Sequence, residues 1–221
     1  MTRLVLLPGL GADERLFSSI QVPGVTVQTP RLLVPGPNES MLSYSLRTAQ
    51  ALNLRPEDWL GGASFGSLVA ADIARHRPLA GLVLIGGGLS SSTIPRTLRL
   101  FGVLSAFLPA RALLAFFSRP EFFEKAFAPM RPEHAGDLVE MLATTPQKLL
   151  RSGGRLAVGY FSALKPLCPV HAIHGALDRV MRPPAVSGCR VLSDAGHALS
   201  LTHTKEVNDF LRETLGLHPS G

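Results

Sequence analysis

The 221-residue chain predicts an α/β fold, a mainly parallel sheet covered by helices on both faces. Two observations carry that expectation. Short continuous apolar runs, such as Leu4-Val5-Leu6-Leu7 and Leu82-Val83-Leu84-Ile85, have the length and composition of strands buried on both sides. Between such runs lie stretches whose apolar residues recur at helical spacing, and proline or glycine closes most segments.

In chain order, residues 3–7 read as a buried strand closed by Pro8-Gly9, and residues 25–27 as a weaker strand. A Pro/Gly-rich loop over 30–37 follows, then Asn38 as candidate cap of a helix with Leu42, Leu46, Ala49 and Leu52 on one face. Residues 58–61 predict a short strand, 67–76 a helix that stops before Pro78, and 81–85 a strand running into three glycines. Two more strands are expected at 169–173 and 189–193, and an amphipathic helix over 199–215 closes the chain. The alternation breaks between 89 and 164. There Pro95, Pro109, Pro120, Pro129, Pro132 and Pro146 punctuate short helices. Seven of the eleven phenylalanines, Phe101, Phe107, Phe116, Phe117, Phe122, Phe123 and Phe127, cluster between residues 101 and 127 of this stretch. The expected organisation is a core of residues 1–88 and 165–221 with a helical cap inserted over 89–164. Most of the rings would pack with one another, and a minority turned inward would make an apolar pocket.

With 46% hydrophobic and 17% charged residues the chain reads as globular, and its length suits one domain. The apolar run at residues 4–7 stops at Pro8, short of the roughly 7–15 residues of an export signal. The stretch 98–118 is broken by Arg99, Gly102, Pro109 and Arg111, unlike a membrane span of about 20 apolar residues. Cys168 and Cys189 match no metal spacing and read as reduced, structural thiols, with a cytoplasmic location expected. The net charge of +6 is uneven: residues 90–165 hold ten Lys or Arg against five Asp or Glu. Such a basic segment attracts nucleic acid, a membrane surface or an anionic substrate, or is simply a solvated face. No zinc-finger spacing, RNP-type aromatic motif or long basic run points to nucleic acid.

Gly61-Gly-Ala-Ser-Phe-Gly-Ser67 contains G-x-S-x-G at Gly62, Ser64 and Gly66, between a predicted strand and a predicted helix. A sharp turn there forces the central residue into a strained backbone, and its neighbours two positions away must be nearly side-chain-free. The turn lifts the Ser64 hydroxyl above the sheet edge with the positive end of the next helix beneath it. Neither a phosphate-cradling G-x-x-x-x-G-K-[ST] nor a G-x-G-x-x-G is present.

On these residues the chain resembles the α/β-hydrolase superfamily over nearly its whole length. Similar enzymes open with a strand ending in a Gly-containing turn, as Leu7-Pro-Gly-Leu-Gly11 does, and carry a cap after the strand that follows the elbow helix. The chain departs by starting at that first parallel strand, which implies about six strands, and by having Pro8 where many relatives have histidine.

A serine hydroxyl needs a base to take its proton as it attacks. Of seven histidines, His197 in Ser193-Asp-Ala-Gly-His-Ala-Leu199 sits between the last predicted strand and the closing helix, and relatives place their base in a similar turn. His76 and His218 lie in polar contexts, His134 in the cap and His203 in the last helix, while His171 and His174 flank a buried strand. No Asp or Glu occurs between Asp72 and Glu121, which removes the end of the 81–85 strand as the orienting acid's place. Asp178 in His174-Gly-Ala-Leu-Asp178 resembles the family's H-G-x-x-D turn; Asp194 is its rival. The order Ser64, Asp178, His197 is the one expected for this fold. The resemblance further implies the backbone N–H groups of Leu10 and Phe65 as oxyanion donors.

This machinery implies an acyl-enzyme hydrolysed by water, with no metal or organic cofactor required. The expected activity is a serine esterase for small to medium hydrophobic acyl or alkyl groups. A thioesterase is the nearest alternative, and the basic cap makes an anionic acyl carrier a candidate partner. Ser64 at the elbow disfavours an Asp-nucleophile epoxide hydrolase or dehalogenase, whereas cofactor-free peroxidases and C–C hydrolases share the triad. A ligand-binding protein with a hydrolase-like pocket would lack a triad member, and none is missing.

Overall fold

The computed structural model describes residues 2–105 and 119–217; Phe107, Pro109, Arg111, Phe116, Phe117 and His218 lie outside them. Six strands form one sheet: β1 (Thr2–Leu7), β2 (Val25–Gln28), β3 (Trp59–Ser64), β4 (Gly81–Gly87), β5 (Val170–Gly175) and β6 (Arg190–Leu192). Their order is β2-β1-β3-β4-β5-β6, and every neighbouring pair is parallel. The helices are α1 (Met41–Ala51), α2 (Phe65–His76), α3 (Arg96–Ser105), α4 (Pro120–Ala126), α5 (Pro132–Thr144), α6 (Gln147–Gly159), α7 (Leu199–Thr202) and α8 (Thr204–Thr214).

Alternate strand residues feed two separate cores, as the pleat requires. Val5, Leu7, Leu60, Leu82 and Leu84 pack with Tyr44 of α1, with α2, and with Leu149 and Leu156 of α6. Leu4, Leu6, Val83, Ile85 and Ile173 face the other way, against Phe17, Phe123, Leu138, Met141, Val207 and Phe210. Both faces being covered explains why the central strands read as unbroken apolar runs.

Several boundaries depart from the sequence expectation. The cap of α1 is Ser40, whose Oγ accepts the Ser43 N–H at 3.1 Å, while Asn38 sits two residues earlier in a left-handed turn with φ 56°. The buried face of α1 holds Met41, Tyr44, Ser45, Thr48 and Ala49, leaving Leu42 and Leu46 44% and 39% exposed. The polar members turn inward because each has a partner. The Tyr44 hydroxyl donates to Leu33 O at 2.8 Å, Thr48 Oγ1 to Tyr44 O at 2.8 Å, and Ser45 to the buried Asp72. β3 runs on to Ser64, and α2 starts at Phe65 rather than Ser67. The closing helix breaks at His203, where the Thr202 and Thr204 hydroxyls bond to the carbonyls of Ala198 and Ser200. Cys168 and Cys189 are free thiols, and burial pushes Cys168 up to about 11.

Helices α3 to α6 lie between β4 and β5, and the segment is tied at both ends to the last turn of α2. The buried Arg75 donates from Nη1 to Leu89 O at 3.0 Å, from Nε to Leu164 O at 2.6 Å, and again from Nη1 to the Tyr160 hydroxyl. One guanidinium thus satisfies the backbone where the inserted segment leaves and rejoins the sheet. Arg75→Met should therefore leave two part-buried carbonyls and the Tyr160 hydroxyl without this donor and cost about 2–4 kcal/mol in urea unfolding. A loss under about 1 kcal/mol would show that water replaces the guanidinium.

Candidate active site

The strand order reverses between β1 and β3: from β1 the chain first extends to β2, then crosses back to β3 on the other side. In a parallel sheet the crevice outside the carboxyl ends of strands at such a reversal is where ligands bind. Ser64 ends β3 and Leu10 follows β1, so both fall there.

Ser64 has φ 49° and ψ −119°, a backbone conformation that costs a side-chain-bearing residue on the order of 1–3 kcal/mol. The surrounding backbone leaves no room for another path. A Cβ on Gly66 would lie 2.2 Å from Leu7 O and 2.4 Å from Pro8 O, and one on Gly62 would lie 2.7 Å from Leu7 O. Ser67 secures the turn from below: its hydroxyl donates to Ser64 O at 2.5 Å and accepts the Gly88 N–H at 2.9 Å. The signal for Ser67 was a small hydroxyl residue in the first turn of α2, which sequence reading passed over.

Phe65 is the first residue of α2, so its N–H has no intrahelical acceptor. Leu10 lies in the loop after β1, and its N–H has no acceptor among the described residues. A Cβ on Gly9 would stand 3.3 Å from Ser64 Cβ, which shows how closely that loop approaches the serine.

His197 and Asp178 come from the loops after β6 and β5 and meet directly, Nδ1 to Oδ2 at 2.8 Å. The Asp178 side chain is fully buried, and its other oxygen accepts the N–H groups of Val180 and Met181 at 2.8 and 2.9 Å. Burial alone would push this carboxyl up. The nearby His197 charge, the side-chain bonds from His174 and His197 and the Met181 N–H outweigh it and hold the group far below the usual carboxylate range. His174, which the sequence placed only at the flank of a buried strand, also contributes. It is fully buried, with Nε2 3.0 Å from Met181 O and 3.2 Å from Asp178 Oδ2. Facing two acceptors, Nε2 carries a proton, and Nδ1 has no hydrogen-bond partner among the described residues.

With Nδ1 turned to Asp178, Nε2 is the ring nitrogen left to take a proton whenever the imidazole is neutral. Its loop packs on the end of β4 from one side, where a Cβ on Gly86 would meet His197 O at 2.7 Å. Ser64 and Ser67 pack on the same strand end from the other side, 3.4 and 2.2 Å from a Cβ on Gly87. No hydrogen bond joins Ser64 to His197 here; such bonds are commonly long in ligand-free sites and shorten with substrate. The edge of the Phe127 ring contacts the His197 ring, centroids 4.9 Å apart, so an inserted residue shields the imidazole.

The remaining candidates lie elsewhere. Asp194 is exposed and faces His203 Nε2 at 3.5 Å, not His197. His76 lies 3.9 Å from Asp72, and His171 stacks near Trp59. Among the described residues no cluster of three or more His, Cys, Asp or Glu could hold a metal ion, and no helix is long and apolar enough to cross a membrane.

No protein-family model matches the chain, nor does any curated protein sequence. Solved structures do match. An esterase from Thermogutta terrifontis superposes with a TM-score of 0.79 at 20% identity, covering 97% of this chain and 89% of that one. A bromoperoxidase from Bacillus anthracis gives 0.73 at 17% identity, with 97% and 92% covered. A thioesterase from the prodiginine pathway of Streptomyces coelicolor gives 0.64 at 18% identity, with 95% and 89% covered. Likeness of this extent over nearly the full length of each partner establishes the architecture: the chain has the α/β-hydrolase fold.

Proposed function

We propose that the protein is a serine hydrolase that cleaves carboxylic esters of small to medium hydrophobic groups. The observation that carries this reading is the strained Ser64 turn at the sheet's reversal point, with an Asp178–His197 pair joined at 2.8 Å beside the same strand end. In this reading Ser64 Oγ attacks the acyl carbon while His197 Nε2 takes its proton. The carbonyl electron pair moves onto oxygen, where the Phe65 and Leu10 N–H groups stabilise it. Collapse expels the alkoxide, which leaves as the alcohol with the proton from His197, and an acyl-enzyme remains. Water, deprotonated by the same imidazole, then attacks the acyl carbon and returns Ser64 with release of the acid. Asp178 keeps Nδ1 protonated and stabilises the imidazolium, without itself taking a proton.

The helices between β4 and β5 act in this proposal as a cap whose apolar residues contact the acyl group. Phe127, already against the His197 ring, is one such residue. The fold neighbours include esterases, a bromoperoxidase and a thioesterase, so the leaving group is the open element. A panel of p-nitrophenyl esters of rising chain length beside acyl thioesters decides it. Faster turnover of the oxygen esters, peaking at medium chain length, is the expected outcome.

Ser64→Ala and His197→Ala should each lower kcat by about 10⁴–10⁶, with the double variant little worse than either. Asp178→Asn should fall by nearly as much, and Asp194→Asn should match wild type; steady-state kinetics on the best ester would expose the reverse ranking.

The depressed Asp178 carboxyl sets the form of the pH profile. It stays ionised in the folded protein well below the ordinary carboxylate range, so Asp178 itself adds no titration to the profile over the range in which activity is read. On the acid side, log kcat/KM should therefore rise with a slope of one to an alkaline plateau. A slope of two would mean that Asp178 titrates together with His197.

A further inference from the structure

The helix α6, over Gln147–Gly159, carries two adjacent glycines in its middle, Gly153 and Gly154, where only proline would be a poorer helix former. Their surroundings differ. A methyl on Gly154 would stand 3.8 Å from Leu10 Cδ2, an ordinary contact. A methyl on the buried Gly153 would lie 2.7 Å from Leu10 Cδ1 and 3.5 and 3.6 Å from Phe65 Cε1 and Cζ. The bare backbone of α6 therefore rests on the side chains of two particular residues. They are the two whose N–H groups point to the oxyanion in the mechanism proposed above.

The Leu10 loop is held on one side by the close approach of Gly9 to Ser64 and of Pro8 to Gly66, and on the other by inserted helices. One backbone hydrogen bond, Ala12 N–H to Gly9 O at 3.1 Å, closes it, and a Cβ on Gly11 would stand 3.1 Å from Leu142 Cδ1 of α5 and 3.7 Å from Leu150 Cδ2 of α6. The Leu10 side chain thus packs against α6, and the loop that carries its N–H packs against α5 and α6. A donor worth a factor of about 10²–10³ in rate is effective only when aimed at the developing charge.

We propose that Gly153 is a positioning residue for the oxyanion hole: its missing side chain lets α6 press Leu10 against Phe65 and so fixes the two donors relative to Ser64. This rests on the reading of Leu10 and Phe65 as the donors. A buried glycine that served packing alone would, when changed, alter stability without selecting the step in which charge develops.

The test compares Gly153→Ala, Gly154→Ala, Leu10→Ala and the double variant Gly153→Ala/Leu10→Ala in the full chain. Three quantities are read: kcat and KM on the best p-nitrophenyl ester, Tm, and the Ki of an alkyl trifluoromethyl ketone. In the ketone complex Ser64 Oγ adds to the carbonyl carbon, its proton passes to His197, and an alkoxide is left in the hole. Gly153→Ala should lower kcat by about 10–100-fold with KM within about twofold, and should weaken the ketone by a matching factor. Gly154→Ala should keep wild-type kinetics. Leu10→Ala removes the colliding Cδ1, so the double variant should come within about threefold of Leu10→Ala alone. Wild-type kcat in Gly153→Ala, unchanged ketone affinity despite a lower kcat, or a double variant less than a tenth as active as Leu10→Ala would each overturn the proposal. If Gly153→Ala does not fold, the double variant decides by the same threshold. Ser64→Ala on the same ester keeps the two claims apart. Retained activity there sinks the serine-hydrolase reading, whereas an inactive Ser64→Ala beside a fully active Gly153→Ala sinks the positioning role alone.

Discussion

At the end of β3 three backbone segments meet with no side chain between them, and the rest of the site depends on that contact. The first turn of α2 passes so close to the carbonyls of Leu7 and Pro8 that Gly66 could carry nothing larger than hydrogen. The contact holds α2 against β1, forces Ser64 to φ 49° and brings the loop after β1 alongside the serine. Burial sustains the strained turn: α2 is buried from Phe65 to Arg75. Enclosing Phe65, Leu68, Val69 and Ile73, at roughly 1.5–3 kcal/mol each, outweighs a strain of about 1–3 kcal/mol. Ser67 and Arg75, on the same helix, extend the effect. One fixes the turn to the end of β4, and the other fixes both ends of the inserted helices.

A second constraint is electrostatic. A carboxylate with no solvent contact is costly unless its oxygens find donors, and Asp178 has two backbone N–H groups on one oxygen and His197 on the other, with His174 beside it. The donors come from the Asp178 turn itself, from β5 and from the loop after β6. The carboxylate therefore ties these loops together as well as orienting the imidazole. Because Val180 and Met181 fix its second oxygen, Asp178 has no freedom to rotate away from His197.

The elbow was legible in the sequence because its requirement is local: two residues flanking Ser64 must lack side chains, and Gly62 and Gly66 do. The strands at 3–7 and 81–85 were legible for an equally local reason, since a chain buried on both faces is apolar throughout. What escaped depended on partners distant in sequence. The inward face of α1 could not be read from hydrophobicity because it includes Tyr44, Ser45 and Thr48, which are tolerated there through Leu33, Asp72 and the helix's own carbonyls. His174 looked like one of several buried histidines until the β5 turn placed its ring 3.2 Å from Asp178. The glycine pair at 153–154 stands in the sequence, but nothing there says what Gly153 accommodates, because the leucine lies 143 positions earlier, in the loop after β1.

The central claim is that Ser64 is an activated nucleophile with His197 as its base, and covalent labelling measures this most directly. A fluorophosphonate reacts when a serine oxygen displaces fluoride from phosphorus, a step that needs the same proton removal as ester cleavage. Intact-mass analysis should show one adduct per chain, peptide mapping should place it on Ser64, and His197→Ala should abolish it in a chain that circular dichroism shows to be still folded, even though loss of the donor to Asp178 lowers its Tm. An unlabelled wild-type protein, or an adduct on any other serine, would contradict the account.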